Sequence, residues 1–184
     1  HKNEEPICRK IIEQMGKTIK QSRNEMNGFF ERAEYLLSVA EESLKPEIIE
    51  NAGIVKRAIG HAPLGTVLII SAWNYPLMIP LNGVLTALLA GNSVLLKHSI
   101  NTLSIGDHFA KAFGDIKDCP GILQHLVAEH SIIDTIIREG QVDVITKGLD
   151  NWLFEQYMQF IDPIFVDGTI DSAYVEDGVA WVVV

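Results

Sequence analysis

Two apolar runs in this chain end on polar residues that could do chemistry. Val67–Ile70 gives way to Ser71-Ala72-Trp73-Asn74, and Val94–Leu96 ends on Lys97. A carboxamide is a neutral donor and acceptor, and an ammonium group is a point charge for anionic or hydroxyl-bearing ligands. Each also has a plainer reading, since an asparagine after a strand forms turns and a lysine at a strand end is usually solvated. The other chemically capable residues are less well placed. Cys8 lies in a helical stretch between Ile7 and Arg9, and Cys119 lies in an Asp-Cys-Pro-Gly turn, so both read as incidental thiols. No histidine pair has the helical zinc spacing with a companion acid, and Asp167, Asp171, Glu176 and Asp177 lack the order of a calcium loop. GxGxxG, P-loop and GxSxG patterns are absent, and no metal site is expected.

The elements around these residues explain why they matter. Between the two runs lies a stretch of helical length, Leu77 to Ala90, stopped by Gly91-Asn92. Strand, turn, helix, strand is the βαβ unit of a parallel sheet covered by helices. Such sheets bind ligands at the carboxyl ends of their strands, where Trp73-Asn74 and Lys97 stand. Further along, the pattern predicts a helix from Asn101 or Thr102 to about Phe113, a strand over Ile122–Val127, a helix from Ser131 to Glu139, and a strand over Val142–Ile145. A helix near Trp152–Phe160 and a late strand at Ala173–Val175 follow.

Upstream, Ile7, Ile11, Met15 and Ile19 recur at spacing four in a helix weakened by Gly16. Ser22-Arg23-Asn24-Glu25 matches a capping box for a second helix, whose apolar stripe runs from Met26 through Phe29, Phe30, Leu36 and Leu37 to Leu44, ending before Pro46. The predicted class is α/β, as a single domain over 1–184. Helices occupy 1–60, and a doubly wound, mostly parallel sheet with its helices occupies 61–184.

Composition narrows the partners. A net charge of −9 and a pI near 5.1, with basic residues scattered, argue against a reader of nucleic-acid backbones. No run reaches the ~18 to 20 apolar residues of a membrane span. Two cysteines give no disulfide framework, which favours a reducing intracellular compartment. The start at His1-Lys2-Asn3-Glu4 and the strand-prone apolar end Ala180–Val184 lead to the expectation of a truncated chain.

The residues themselves carry a resemblance. PLG at 63–65, WNYPL at 73–77 and ALLAGNSVLLKHS at 87–99 resemble the first part of the cofactor-binding region of the NAD(P)-dependent aldehyde dehydrogenases. The likeness is weaker over ICRKIIEQMGK, ERAEYLLSVAE, DCPGILQHLV and DSAYVEDGVAW. It implies a Rossmann-like sheet that binds NAD or NADP, and oxidation of a small aldehyde to a carboxylic acid. A cysteine thiolate attacks the aldehyde, hydride passes to the nicotinamide, and a glutamate activates the hydrolytic water. By this resemblance the Asn74 amide stabilises the oxyanion, Lys97 contacts the adenosine ribose or a 2′-phosphate, and Ile70 and Trp73 line the cofactor cleft. Gly148 falls in the loop that faces the pyrophosphate. Homo-oligomers or larger assemblies are common among such proteins.

The chain also departs from the family pattern. Ile100 stands where NAD-preferring members usually carry a glutamate, and Ile145-Thr146-Lys147-Gly148-Leu149 replaces Phe-Thr-Gly-Ser. Val166-Asp167-Gly168-Thr169 replaces Glu-Leu-Gly-Gly, and the reactive cysteine is absent. The expectation is a cofactor-binding portion inactive on its own. The rival expectation is a non-catalytic dinucleotide-binding or structural pseudoenzyme subunit of a larger assembly.

Overall fold

The computed structural model describes residues 4–52, 55–114, 116, 118–147, 172–176 and 179–183. Helix α1 (Glu4–Met15) stops at Gly16, whose φ of 72° suits a residue without a β-carbon. Helix α2 (Ile19–Ser43) follows at once, capped by Thr18 rather than by Ser22. The Thr18 hydroxyl accepts from the Gln21 amide N–H, and the Gln21 side chain accepts from the Thr18 N–H. Thr-Ile-Lys-Gln offers the same box one turn earlier than Ser-Arg-Asn-Glu, directly after the glycine break. Ser22 is buried within the helix, its hydroxyl donating to the Thr18 carbonyl, and Leu37, assigned above to the apolar stripe, is exposed.

Strands β1 (Glu47–Ala52) and β2 (Val55–Ile59) form an antiparallel ribbon inside the stretch read above as purely helical. Pro46 cannot continue a helix, and the isoleucine- and valine-bearing segment beyond it pairs with itself.

The remaining elements alternate. They are β3 (Thr66–Ile70), α3 (Met78–Leu89), β4 (Ser93–Lys97), a 3-10 turn (Ile100–Thr102), α4 (Leu103–Gly114), β5 (Leu123–His125), α5 (His130–Arg138) and β6 (Val144–Lys147). Four strands pair in parallel in the order β5-β4-β3-β6. The first two crossovers step outward from β3, and the third returns past β3 to its far side. That reversal covers both faces with helices. Val67, Ile69, Val94, Leu96 and Leu123 pack towards α3 and α4, with Cys8, Ile11 and Met26 of α1 and α2 continuing the same core. Leu68 faces the opposite way and packs on Ile133 and Ile137 of α5. Each fully buried aliphatic side chain here contributes roughly 1.5–3 kcal/mol. The chain therefore layers as α1/α2, α3/α4, sheet and α5, the α/β class expected from its sequence.

Helix α4 can approach β5 closely because residue 106 is glycine; a β-carbon there would lie 2.2 Å from His125 Nε2. Asn92, read above as a helix stop, does more than that. Its Oδ1 accepts from the amides of Leu64 and Gly65, and its Nδ2 donates to the Ala87 carbonyl, tying the end of α3 to the start of β3. Strands β7 (Ser172–Glu176) and β8 (Val179–Val183) pair antiparallel. The Trp152–Phe160 helix, Gly148, Val166 and Asp167 lie outside the described residues. Among the described residues, no helix is long and apolar enough to cross a membrane.

Candidate dinucleotide groove

The last residues of β3 and β4, Ile70 and Lys97, are register partners, so their side chains emerge side by side at the carboxyl edge of the sheet. Two-residue alternation puts both on the α5 face, together with Leu68 and Leu95. A groove of about 590 Å³ opens there, with Ile70, Trp73, Lys97, Ile100, Leu103 and Glu129 among its walls. Glu129 is the N-cap of α5 and its side chain makes no capping bond. Glu129, His130 and Ser131 at the start of that helix line the groove, and the Glu129 side chain caps none of its amides.

Lys97 is only 7% exposed, which excludes the reading of a solvated strand-end lysine. Burial holds its pKa below the ordinary lysine value. Among the described residues no carboxylate pairs with it. Trp73 is half-exposed at the start of the β3–α3 turn. Asn74 is exposed on that same turn, one residue past the groove wall. Three of the residues singled out above, Ile70, Trp73 and Lys97, are thus brought to one groove, with Asn74 next to it in the chain. Lys147, beyond the strand expected over Val142–Ile145, is the last residue of β6 and the register partner of Ile70 on its other side.

Sequence reasoning missed what holds the turn. Proline has no N–H, so the carbonyl is the only polar backbone group of Pro76, and His98 Nε2 donates to it at 2.9 Å. The same ring accepts at Nδ1 from the Thr102 hydroxyl at 2.9 Å. His98 is buried and its pKa is pushed down to about 4, by desolvation first and by the nearby His125 and Lys97, against the raising effect of the Pro76 carbonyl. The neutral ring with its proton on Nε2 satisfies both bonds. Helix α3 begins at Leu77, a residue without a capping side chain. Glu25 of α2 supplies that cap: Oε1 accepts from the amides of Leu77 at 2.8 Å and Met78 at 3.4 Å. Its Oε2 pairs with Lys17 Nζ at 2.6 Å, and that ammonium sits 3.9 Å from the centroid of the Tyr75 ring. A helix start with no Ser, Thr, Asp or Asn was the one signal in the sequence that an outside group must serve its amides.

Neither thiol of the sequence lies on the groove wall. Cys8 is buried among the N-terminal helices, with its pKa raised by that burial, and Cys119 is exposed in the turn before β5. Among the described residues no three His, Cys, Asp or Glu side chains converge on a possible metal position.

The family model described as the aldehyde dehydrogenase family matches residues 1–147. The chain belongs to the aldehyde dehydrogenase family. Succinate semialdehyde dehydrogenase [NAD(P)+] Sad of Escherichia coli is 31% identical over 144 residues, which are 77% of this chain and 30% of that protein. D-glyceraldehyde dehydrogenase (NADP(+)) of Thermoplasma acidophilum is 27% identical over 147 residues, 79% of this chain and 30% of that protein. This aldehyde dehydrogenase chain thus spans about 30% of the length of these curated relatives. Among solved structures, a NAD-dependent benzaldehyde dehydrogenase from Corynebacterium glutamicum superposes with a TM-score of 0.75 at 18% identity, covering 88% of this chain and 36% of that one. A succinic semialdehyde dehydrogenase from Streptococcus pyogenes, solved with NADP+, gives 0.68 at 17% identity, covering 78% and 36%. These structural likenesses establish the shared fold.

Proposed function

We propose that this chain forms the dinucleotide-holding part of an NAD(P)-dependent oxidoreductase that converts an aldehyde to a carboxylic acid, and that these residues alone do not complete the reaction. The observation that carries the reading is Lys97, a buried cation without a counter-charge among the described residues, standing beside Ile70 and Trp73. A buried ammonium is costly unless something anionic or strongly polar meets it. The groove is of a size for the adenosine half of a dinucleotide, and its walls of Ile70, Leu103 and Val127 suit a flat apolar ring. Ile100 on the same wall adds no carboxylate beside Lys97, which favours a 2′-phosphate as well as free ribose hydroxyls. NADP is therefore accepted alongside NAD.

In this reading Lys97 binds and orients the cofactor, Ile70 and Trp73 exclude water from its ring, and the N-terminus of α5 contributes a favourable potential for phosphate. The Asn74 amide donates a hydrogen bond to the aldehyde oxygen as negative charge gathers on it. The nicotinamide, when bound, accepts the hydride that leaves the aldehyde carbon. The proposal is tested by calorimetric titration with NAD+ and NADP+. Saturable heat is expected for both, and Lys97→Met is expected to weaken NADP+ binding about tenfold, more than it weakens NAD+. Absence of heat at millimolar cofactor in the unmodified chain would remove the reading.

A further inference from the structure

We infer that Glu25 and His98 are positioning residues that clamp the Trp73–Pro76 turn from two sides and so fix the direction in which Asn74 presents its amide. The turn carries a chain of restraints with few gaps. Ser71 N–H donates to the Lys97 carbonyl at 3.0 Å, locking the residue after β3, two before the turn, to the neighbouring strand. On one side, His98 donates to the Pro76 carbonyl, and its ring is held from behind by Thr102. On the other, the Glu25 carboxylate takes the amides of Leu77 and Met78 while Lys17, paired to the same carboxylate, lies over the Tyr75 ring. Asn74 stands between these fixed neighbours and is itself exposed.

The amides that Glu25 serves lie out of reach of any cap from within their own helix start. A side chain at Leu77 could reach only Ile79, whose N–H already donates to the Tyr75 carbonyl at 3.0 Å, and Pro80, which has no N–H, so the chain serves the Leu77 and Met78 amides with a buried carboxylate whose ammonium partner lies beside it. The arrangement makes sense if the backbone of the turn has to be stiff. A donor aimed at a developing charge must be held to a fraction of an ångström by the groups behind it. Glu25 and His98 touch no ligand in this scheme; they act through the backbone of Tyr75 to Met78. The inference rests on the reading of Asn74 as the working amide, but the geometry of the turn is measurable without any cofactor.

The test uses the full chain labelled with fluorotryptophan. Its three tryptophans give separate fluorine resonances, and Trp73 is assigned by its loss in Trp73→Phe. A single narrow Trp73 line is expected in the unmodified chain. Glu25→Leu and His98→Phe, at temperatures where circular dichroism shows them folded, are expected to broaden that line by about twofold or more, or to split it, while the other two indoles stay unchanged. Glu25→Gln keeps an acceptor for the Leu77 amide, and His98→Gln keeps a donor of similar reach for the Pro76 carbonyl, so both are expected to restore the single line. An unchanged Trp73 line in the folded apolar variants, or no rescue by glutamine, overturns the clamp. Should the apolar variants not fold, backbone relaxation of the unmodified chain decides. Order parameters near about 0.85 from Asn74 to Met78 support the clamp, and values below about 0.6 overturn it. Failure of NAD+ and NADP+ to bind the unmodified chain defeats the reading of the groove and leaves this measurement standing.

Discussion

Lys97 and His98 are adjacent in the sequence and meet opposite demands. Lys97 is a buried charge that asks for a partner from outside; His98 is a buried ring whose two nitrogens are both answered from within. The ring's folded pKa of about 4 lies below its ordinary value of 6.5, so between those pH values the unfolded chain binds the proton that the folded chain refuses. Stability contributed by the neutral ring is complete above pH 6.5 and drains away as the pH falls towards 4, by roughly 3 kcal/mol in all. Urea unfolding at a series of pH values is expected to show this slope, and His98→Gln, which does not titrate, is expected to flatten it. An identical slope in that variant would assign the pH dependence to other groups. The sequence made Lys97 visible because it ends an apolar run, whereas a lone histidine next to it has no periodic signature. Its role follows from a proline carbonyl 22 residues earlier in the chain.

At the scale of elements, the two overlapping capping boxes at the start of α2 show how a correct motif can sit in the wrong place. Thr18 and Gln21 make the cap, and Glu25, the last residue of the second box, turns away to cap α3 instead. The hydroxyl cap of Thr18 and the carboxylate cap of Glu25 differ in what their loss exposes. Thr18→Ala removes a cap at a solvated helix end and is expected to cost about 1 kcal/mol. Glu25→Leu strands the amide of Leu77 and leaves Lys17 without its counter-charge, for an expected cost of about 3 kcal/mol. Chemical denaturation of the two variants under the same conditions checks the ranking, and a Thr18 variant that lost more than the Glu25 variant would contradict it. The helices and parallel strands were legible from apolar periodicity and from Gly91-Asn92. The β1–β2 ribbon was not, because among the described residues Glu47–Ile59 pairs only with itself, and its Ile48, Ile49 and Ile59 side chains stay exposed.

For the whole molecule, the strand order could not be read from the chain, although its consequence is the groove itself. The βαβ spacing announces parallel strands, but only the return of β6 to the far side of β3 places α5 opposite α3 and α4 and opens the groove between them and the strand ends. Trp73 and Lys97, expected at strand ends, and Ile70, expected on the cleft wall by the family resemblance, converge on one groove, while Gly148 lies outside the described residues. With no thiol on the groove wall, the 184-residue chain is expected to give no saturable formation of reduced cofactor with any of a panel of aldehydes, followed by absorbance. Saturable, protein-dependent reduction would contradict that expectation.

The carboxylate that caps α3 stands 52 positions before the amide it serves. Contacts of such long sequence separation close late, after the entropy of the intervening loop has been overcome. The β3–β4 pairing can zip up from nearby segments, yet the Asn74 bend cannot acquire its final shape until the N-terminal hairpin of helices has docked. Folding kinetics would therefore see the β3–β4 pair first, with the finished bend, like the β3–β6 pairing between Val67 and Val144, among the later events.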